Sequence, residues 1–238
     1  MKKIKILFVC ASMKVGGAEK SLVNLLNLID YSKYDVDLLL LQKQGAFLKQ
    51  IPEQVKILEL KSRARALYNS ENRKIHEYLM SVIKYVVTFV ELIRWKEYDV
   101  LRAHRWKDIY SKLCENVEGM YDVVVAFQSG EPTYYAFDKV KSKRYVTFFH
   151  TDISNIKLAN EIERNYLKKA DLIATISTKC VESIRTEFPE LKGKVVCLEN
   201  LSSKKLIIRL AGENQPEEFI GIKDYIKIVS VGRLVKLK

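Results

Sequence analysis

The sequence is poor in the residues that disordered, disulfide-bonded or membrane-spanning chains require. Four prolines and nine glycines among 238 residues argue against long linkers or disorder. The four cysteines form no CxxC pair and lack metal-ligand spacing, so they indicate buried thiols in a reducing compartment. The longest apolar stretch, residues 82–90, is interrupted by Lys84 and is shorter than the ~20 residues of a membrane span. The amino terminus shows no signal-peptide pattern, and we expect a cytoplasmic protein.

Positive charge is what the sequence has in excess. Its 41 lysines and arginines against 29 acidic side chains give a net charge of +12, with clusters at residues 61–65, 102–107 and 139–144. Such an excess indicates a polyanionic partner, such as anionic lipid, nucleotide phosphates or nucleic acid, or simply a lysine-rich solvated surface. No nucleic-acid-binding motif accompanies the clusters, so we expect no nucleic-acid partner. A non-catalytic α/β module that binds nucleic acid or another polyanion is the alternative function.

The opening stretch predicts a strand, a glycine loop and a helix. Residues 4–9, apart from Lys5, form a nearly continuous apolar run typical of a strand buried on both faces, and apolar side chains recur at spacings of three and four over residues 22–29. Between them, Gly16 and Gly17 permit positive φ and a close approach of the backbone to a ligand. A helix amino terminus favours a phosphate there, although the spacing is not GxGxxG. A tight turn without a ligand is the other interpretation.

The rest of the chain alternates strands with helices. This alternation predicts a Rossmann-like, doubly wound, mainly parallel α/β sheet of about seven strands with helices on both faces. Further strands are predicted over residues 34–42, 55–60, 98–103, 121–127, 143–149, 171–176 and 195–198. A long helix over residues 71–96 carries a wide apolar face and several cations. It either packs on the sheet, as most crossover helices do, or lies on an anionic membrane.

Residues just past the strand ends should converge, because ligands of open α/β sheets bind beyond the carboxyl ends of the strands. His150 stands at such an end and is suited to hydrogen bonding or proton transfer, or it is a structural histidine. Asp152 either orients His150 or caps the next helix. No GxSxG nucleophile motif occurs, and His76 and His104 lie on other segments, so no metal site is expected. The other residues predicted at this edge are Gly16, Gly17, Gln128, Ser129, Gly130, Glu131, Thr151, Ser177 and Asn200.

Several motifs in this order resemble a known family. They are GGAE at residues 16–19, the strand and turn at 121–133, FHTD at 149–152, DLIATIS at 171–177, residues 195–200, and VGRL with a lysine at 231–238. Together they resemble the N-terminal half of GT-B-type retaining glycosyltransferases of the large family four (group one) class. Within that class, they are similar to bacterial members that build polysaccharides.

The resemblance implies transfer of a sugar from a nucleotide-sugar donor to a hydroxyl acceptor, without a metal or other cofactor. It implies that Gly16, Gly17, Arg233 and Lys238 bind the donor diphosphate, and that His150 and Asp152 are catalytic. It also implies an acceptor side formed by Glu19, Gln128, Ser129, Gly130, Glu131 and Asn200.

The same resemblance implies a domain organisation and a location. Residues 1–211 would form the acceptor-side domain, 212–225 a linker, and 226–238 the start of a donor-binding domain. We therefore expect residues 1–238 to have little activity alone. A lipid-linked glycan or polysaccharide precursor is the expected acceptor class. Peripheral attachment at the inner membrane face would then be mediated by residues 61–65 and the basic faces of the two middle helices.

Overall fold

The structure, a computed structural model, describes residues 2–68, 75–213, 226 and 228; for residues 75–81 and 160 it describes the backbone alone. Its centre is a seven-stranded sheet in which every pairing is parallel. The strands are β1 (Ile4–Cys10), β2 (Tyr34–Leu40), β3 (Lys56–Leu58), β4 (Met120–Ala126), β5 (Lys141–Phe149), β6 (Leu172–Thr175) and β7 (Val195–Cys197).

Strand order defines the architecture as Rossmann-like and doubly wound, which confirms the predicted fold class. The order is β3-β2-β1-β4-β5-β6-β7, so the direction of winding reverses between β1 and β4. Because parallel crossovers are right-handed, this reversal places the helices of the two halves on opposite faces of the sheet. The crevice at the point of reversal is where such sheets bind ligands.

The helices are α1 (Gly17–Leu26), α2 (Ser62–Tyr68), α3 (Ile75–Arg94), α4 (Tyr98–Arg105), α5 (Ser111–Leu113), α6 (Glu131–Lys139), α7 (Asn160–Lys169), α8 (Thr178–Glu187) and α9 (Lys204–Glu213). Short 3-10 turns cover Ala46–Gln50, Ile153–Asn155 and Pro189–Lys194. Ser177 caps α8 as predicted, its side chain accepting a hydrogen bond from the Cys180 backbone N–H at 3.2 Å.

Burial on both faces explains the apolar run over residues 6–10 of β1. Leu7 and Val9 point to one face and Phe8 and Cys10 to the other, and none of the four is more than 4% exposed. Leu22 and Leu26 on α1 are fully buried and cover this part of the sheet. This packing fixes the start of α1 at the carboxyl edge of the sheet.

The strand predicted over residues 98–103 is wrong, since these residues form helix α4. Leu101, Ala103 and Arg105 are buried, Leu101 and Arg105 being one helical turn apart, and the Leu101 N–H donates to the Glu97 carbonyl at 2.9 Å. The alternation of Tyr98 and Val100 resembled a strand only locally. The helix continues through a π turn, Trp106–Tyr110, in which Trp106 is fully buried.

The basic segment at residues 61–65 also has a structure that the sequence did not indicate. It begins helix α2, because the Glu115 carboxylate accepts hydrogen bonds from the backbone N–H groups of Arg63 and Ala64, both at 3.1 Å. A carboxylate at a helix amino terminus is favourable. Helix α3 then lies within the predicted range 71–96, and residues 71–74 lie outside the described residues.

The chain divides into two compact units, residues 1–202 and 203–238. In the second unit the structure describes helix α9, where a short helix was predicted over residues 204–210. Residues 214–225, 227 and 229–238, which contain most of the predicted linker and second domain, lie outside the described residues. Across the described helices, none combines the length and apolarity needed to cross a bilayer.

Candidate active site at the carboxyl edge of the sheet

The glycine loop after β1 does not need positive φ. Gly16 is the residue before α1 and has extended backbone with φ −163°, and neither Gly16 nor Gly17 is among the positive-φ glycines. The positive φ that this pair permits is therefore not used here. A Cβ at Gly16 would lie 2.2 Å from a carboxylate oxygen of Glu19, so this side chain would have to move to accept a larger residue. A Cβ at Gly17, which is exposed, would meet no atom.

The shape of this loop depends instead on Gly45, which follows β2. Gly45 has φ +123°, and a Cβ there would lie 2.0 Å from the backbone of Met13. The Met13 N–H donates to the Gln44 carbonyl at 2.8 Å, and the Met13 carbonyl accepts from the Phe47 N–H at 3.1 Å. The loops after β1 and β2 thus support each other at the edge of the sheet.

Gln128 joins the end of β4 to the start of α1. Its side-chain oxygen accepts from the Ala11 N–H at 2.9 Å and from the Cys10 thiol at 3.4 Å, and its amide donates to Glu19 at 2.8 Å. Burial, with a smaller contribution from Glu19, raises the pKa of Cys10 to about 12, so this thiol remains a donor. The predicted residues Gly16, Glu19 and Gln128 therefore lie together.

Glu19 already places a negative charge at the amino terminus of α1. Its carboxylate lies over Gly16 in the first helical turn, where the helix dipole favours an anion. A phosphate bound at the same turn would meet this carboxylate. The Glu19 carboxylate would therefore repel a diphosphate bound at the start of α1.

Glu131 is buried behind the same edge and is held by two cations. It is 4% exposed and accepts from Arg105 at 2.6 Å and from Arg102 at 3.4 Å. Pro132 lies in the first turn of α6, as predicted, after Gly130 with φ +76°. Two members of the basic cluster at 102–107 are thus internal partners of a carboxylate rather than a free cationic surface.

A polar cavity of ≈ 260 Å³ lies beside this ion pair, at the carboxyl ends of β1 and β2. Ala11 and Gln42 line it from the strand ends, and Tyr68, Arg105 and Tyr110 line it from α2, α4 and the π turn. The hydroxyls of Tyr68 and Tyr110 and Nε of Arg105 are buried and have no hydrogen-bond partner in the described part of the chain. Burial raises the pKa of Tyr110 to about 12 and that of Tyr68 well above its ordinary value, so both hydroxyls remain protonated. Three lining residues thus carry buried polar atoms without a hydrogen-bond partner in the described part of the chain, and Gln42 and Glu131 add acceptor oxygens to the lining.

His150 lies in an aromatic setting directly after β5. Its ring stacks on Phe148 with centroids 4.6 Å apart and contacts Phe127 at 4.8 Å. Both ring nitrogens are shielded from solvent and have no partner that meets hydrogen-bond geometry among the described residues. Burial lowers the pKa of His150 to about 4, an effect that the Phe127 backbone partly offsets. The imidazole is therefore neutral at pH 7.

Asp152 caps a turn and makes no hydrogen bond to His150. Its carboxylate accepts from the backbone N–H and hydroxyl of Ser154, at 3.1 and 2.8 Å, and lies 3.5 Å from the Lys179 ammonium. The hydroxyls of Ser183 and Ser154 lower the pKa of Asp152 to about 2. Of the two roles expected from the sequence, the contacts show the cap, here on the 3-10 turn Ile153–Asn155.

A second, apolar cavity of ≈ 400 Å³ is lined by Ser21 and Leu25 of α1. Phe127 and Phe148, the two rings that contact His150, form part of its wall, and Leu25 on α1 and Leu201 after β7 form more of it. The side-chain amide of Asn24 donates to the Leu201 carbonyl at 2.9 Å and holds this segment against α1. His150 therefore adjoins an apolar cavity. Gln128, the next residue after Phe127 in the sequence, contacts the glycine loop and α1.

The remaining predicted residues have weaker connections to this edge. Asn200 is exposed after β7, and Ser129 is half-buried in the turn before α6. Arg233 and Lys238 lie outside the described residues. Within the described residues, no group of three or more His, Cys, Asp or Glu side chains is placed to hold a metal ion.

Much of the surface charge is already paired. Lys61 forms an ion pair with Glu118 at 2.6 Å, and Lys143 and Arg144 pair with Asp122 and Asp171. The cluster at residues 139–144 also lies where β5 begins, at the edge of the sheet opposite the candidate site. These cations therefore do not converge on the candidate site.

Comparison with known proteins finds similar solved structures but assigns no family. No family model and no curated protein matches the chain. Among solved structures, Anabaena HepE with UDP and glucose bound is similar at TM-score 0.46 and 16% identity over 88% of this chain and 50% of that one. Phytolacca americana UGT2 with UDP-2-fluoro-glucose and pterostilbene gives 0.38 and 13% over 91% and 58%, and a UDP-N-acetylglucosamine 2-epimerase gives 0.38 and 13% over 84% and 49%.

The chain thus spans about half the length of these structures. TM-scores this low carry no functional argument. The fold and the candidate site are assigned from the strand order and the contacts of this chain.

Sequence reasoning missed the residues that reach the edge through tertiary packing. Tyr68 and Tyr110 lie on segments interpreted only by their charge or periodicity, and no local signal marks their hydroxyls. Sequence reasoning also missed Glu163, which is buried on α7 and accepts a hydrogen bond from the Tyr134 hydroxyl. Burial raises the pKa of Glu163 to about 7, so its charge changes near physiological pH.

Proposed function

We propose that the chain is the acceptor-side domain of a GT-B-type glycosyltransferase, which moves a sugar from a nucleotide-sugar donor to a hydroxyl acceptor. One observation supports this above the others: the α1 start, the Gln128–Glu19 pair and His150 lie at the point where the winding of the sheet reverses. This is the edge at which a fold of this kind binds a nucleotide or sugar. The motif resemblance supplies the reaction type.

The reaction asks for two things that this edge offers. The acceptor oxygen forms a bond to the anomeric carbon while the bond to the nucleoside diphosphate breaks, and the acceptor proton passes to a base or to the leaving diphosphate. Backbone N–H groups at the start of α1 would stabilise the departing negative charge. His150, neutral and unpaired, would accept or donate one hydrogen bond to a sugar hydroxyl.

The polar cavity is the proposed acceptor site. The Tyr68 and Tyr110 hydroxyls and Arg105 Nε would donate to acceptor oxygens, because each is buried without a partner among the described residues. A buried donor without an acceptor costs free energy, and a polyhydroxylated ligand would recover it. Glu131 would act by holding Arg105 in place.

Finer assignments follow from the motif resemblance and are part of the proposal. These are a retaining reaction, metal independence, a lipid-linked polysaccharide precursor as acceptor, and a donor-binding half reached through residues 226–238. Arg233 and Lys238 would then bind the diphosphate as cations. On this proposal, residues 1–238 alone transfer little or no sugar.

Transfer assays on the complete gene product test the function. Radiolabelled nucleotide sugars are supplied with membrane extract, and we expect label in a glycan product, reduced at least ~100-fold in His150→Ala. Leu28→Ala, at an exposed position in the turn after the carboxyl end of α1, serves as the control. Absence of transfer from every donor, together with a nucleic-acid gel shift, would favour the polyanion-binding alternative. Robust transfer by residues 1–238 would refute the need for a second domain.

A charge-neutralising variant tests the role of the glycine loop. Glu19→Gln retains the acceptor for the Gln128 amide and removes the carboxylate charge beside Gly16. If the diphosphate binds at the α1 start, UDP or GDP affinity should rise about tenfold, equivalent to ~1.4 kcal/mol. Glu53→Gln, at an exposed site, controls for net charge. Calorimetry showing equal affinities for both variants would remove the α1 start from diphosphate binding.

A further inference from the structure

Helix α3 is oriented with its apolar face outward. Seven large apolar side chains at helical spacing are exposed: Val82, Tyr85, Val86, Phe89, Val90, Leu92 and Ile93. Phe89 is 66% exposed and Ile93 is 72% exposed. The interpretation of this helix as one that packs its apolar face on the sheet is therefore wrong for residues 82–93.

The inner face of the same helix carries polar side chains beside Ile83 and Val87. Glu91 is 3% exposed, and Lys84 lines the polar cavity. Thr88 Oγ1 and one carboxylate oxygen of Glu91 are buried without a hydrogen-bond partner among the described residues. A helix that buries polar atoms and exposes a continuous apolar face in water is arranged for an apolar medium on its outer side.

The charges around the apolar face of α3 indicate which partner would cover it. Glu91 is the only acidic residue between positions 82 and 96, and it is buried 3.9 Å from Arg94. Arg94 ends the helix and is exposed, as is Lys96 just after it, and the exposed acidic residues Glu97 and Asp99 follow. The neighbouring helix α2 adds the exposed cation Arg63. A second copy would bring another net charge of +12, which opposes pairing, whereas an anionic bilayer surface attracts these cations.

We propose that the outer face of α3 inserts into the headgroup region of an anionic bilayer, with the helix lying parallel to the surface. Apolar side chains would enter the acyl boundary, and Arg94, Lys96 and Arg63 would meet lipid phosphates. The inward Lys84 borders the polar cavity, so the membrane surface would lie next to that cavity. The membrane attachment itself is independent of the proposed transferase reaction.

Vesicle flotation of the 238-residue chain tests the attachment. Vesicles of phosphatidylcholine with phosphatidylglycerol are compared with phosphatidylcholine alone, and we expect binding at least tenfold stronger to the anionic vesicles. The double variant Phe89→Ser/Ile93→Ser should lose at least tenfold in binding. Val15→Ser/Leu28→Ser changes two equally exposed apolar residues away from α3 and should bind as the parent does.

Two further measurements make each outcome decisive. Circular dichroism confirms that both double variants are folded, which is expected because the substituted side chains are exposed. Light scattering reports oligomeric state, and a parent dimer that becomes monomeric in Phe89→Ser/Ile93→Ser would overturn the proposal in favour of a second copy. Equal binding of the two double variants, or no binding to either vesicle, would also overturn it.

Discussion

At the scale of single residues, His150 is the group whose chemistry depends most on its surroundings. Phe127 and Phe148 remove its ring from water and offer no hydrogen-bonding side chain, so the charged imidazolium is disfavoured. We expect its NMR titration to show a midpoint near pH 4. His150→Phe, which should fit the same aromatic setting, identifies the signal by its loss. A midpoint near the ordinary value of 6.5 would mean that the ring is hydrated and would weaken its role as a neutral hydrogen-bonding group.

At the scale of elements, the turn after β2 controls the loop after β1. Gly45→Ala forces a side chain onto φ +123° and against the Met13 backbone, so it should destabilise the fold by roughly 3 kcal/mol or more. Gly193→Ala is the matched control, because a Cβ there meets no atom and its φ is not positive. Urea unfolding measures both. Similar midpoints for the two variants would show that the loop can shift to accept the methyl group.

The elements also show what the sequence could and could not predict. Strands such as β1 and β4 were predictable because an apolar run buried on both faces is a local signal. Helix α4 was not, since its buried Arg105 is fixed by Glu131, 26 residues further along the chain. The orientation of α3 was also not predictable, because periodicity reveals an apolar face but not whether that face points to the sheet or away from it.

In the candidate site, too, some residues had a local sequence signal and others are placed only by tertiary packing. Strand ends identified Gly16, Gln128 and His150, and the structure brings the first two together through Glu19. The tyrosines of the polar cavity depend on where α2 and the π turn pack, which is a tertiary property.

At the scale of the whole molecule, two buried groups oppose each other in the dependence of stability on pH. The pKa of His150 falls from 6.5 to about 4 on folding, so its contribution is complete above pH 6.5 and is lost as pH falls toward 4. The pKa of Glu163 rises from 4.5 to about 7, so its contribution is complete below pH 4.5 and is lost as pH rises toward 7.

Because the two windows overlap, the free energy of unfolding should be nearly constant between pH 5 and 6.5. Glu163→Gln keeps an acceptor for the Tyr134 hydroxyl and removes one slope, so stability should then rise by about 1–2 kcal/mol across this interval. His150→Phe removes the other slope, and stability should fall by a similar amount. Urea unfolding at several pH values measures these slopes, with Glu53→Gln, at an exposed site, as the control for lost charge. Equal pH dependence in both variants would mean that neither group is as buried as its packing indicates.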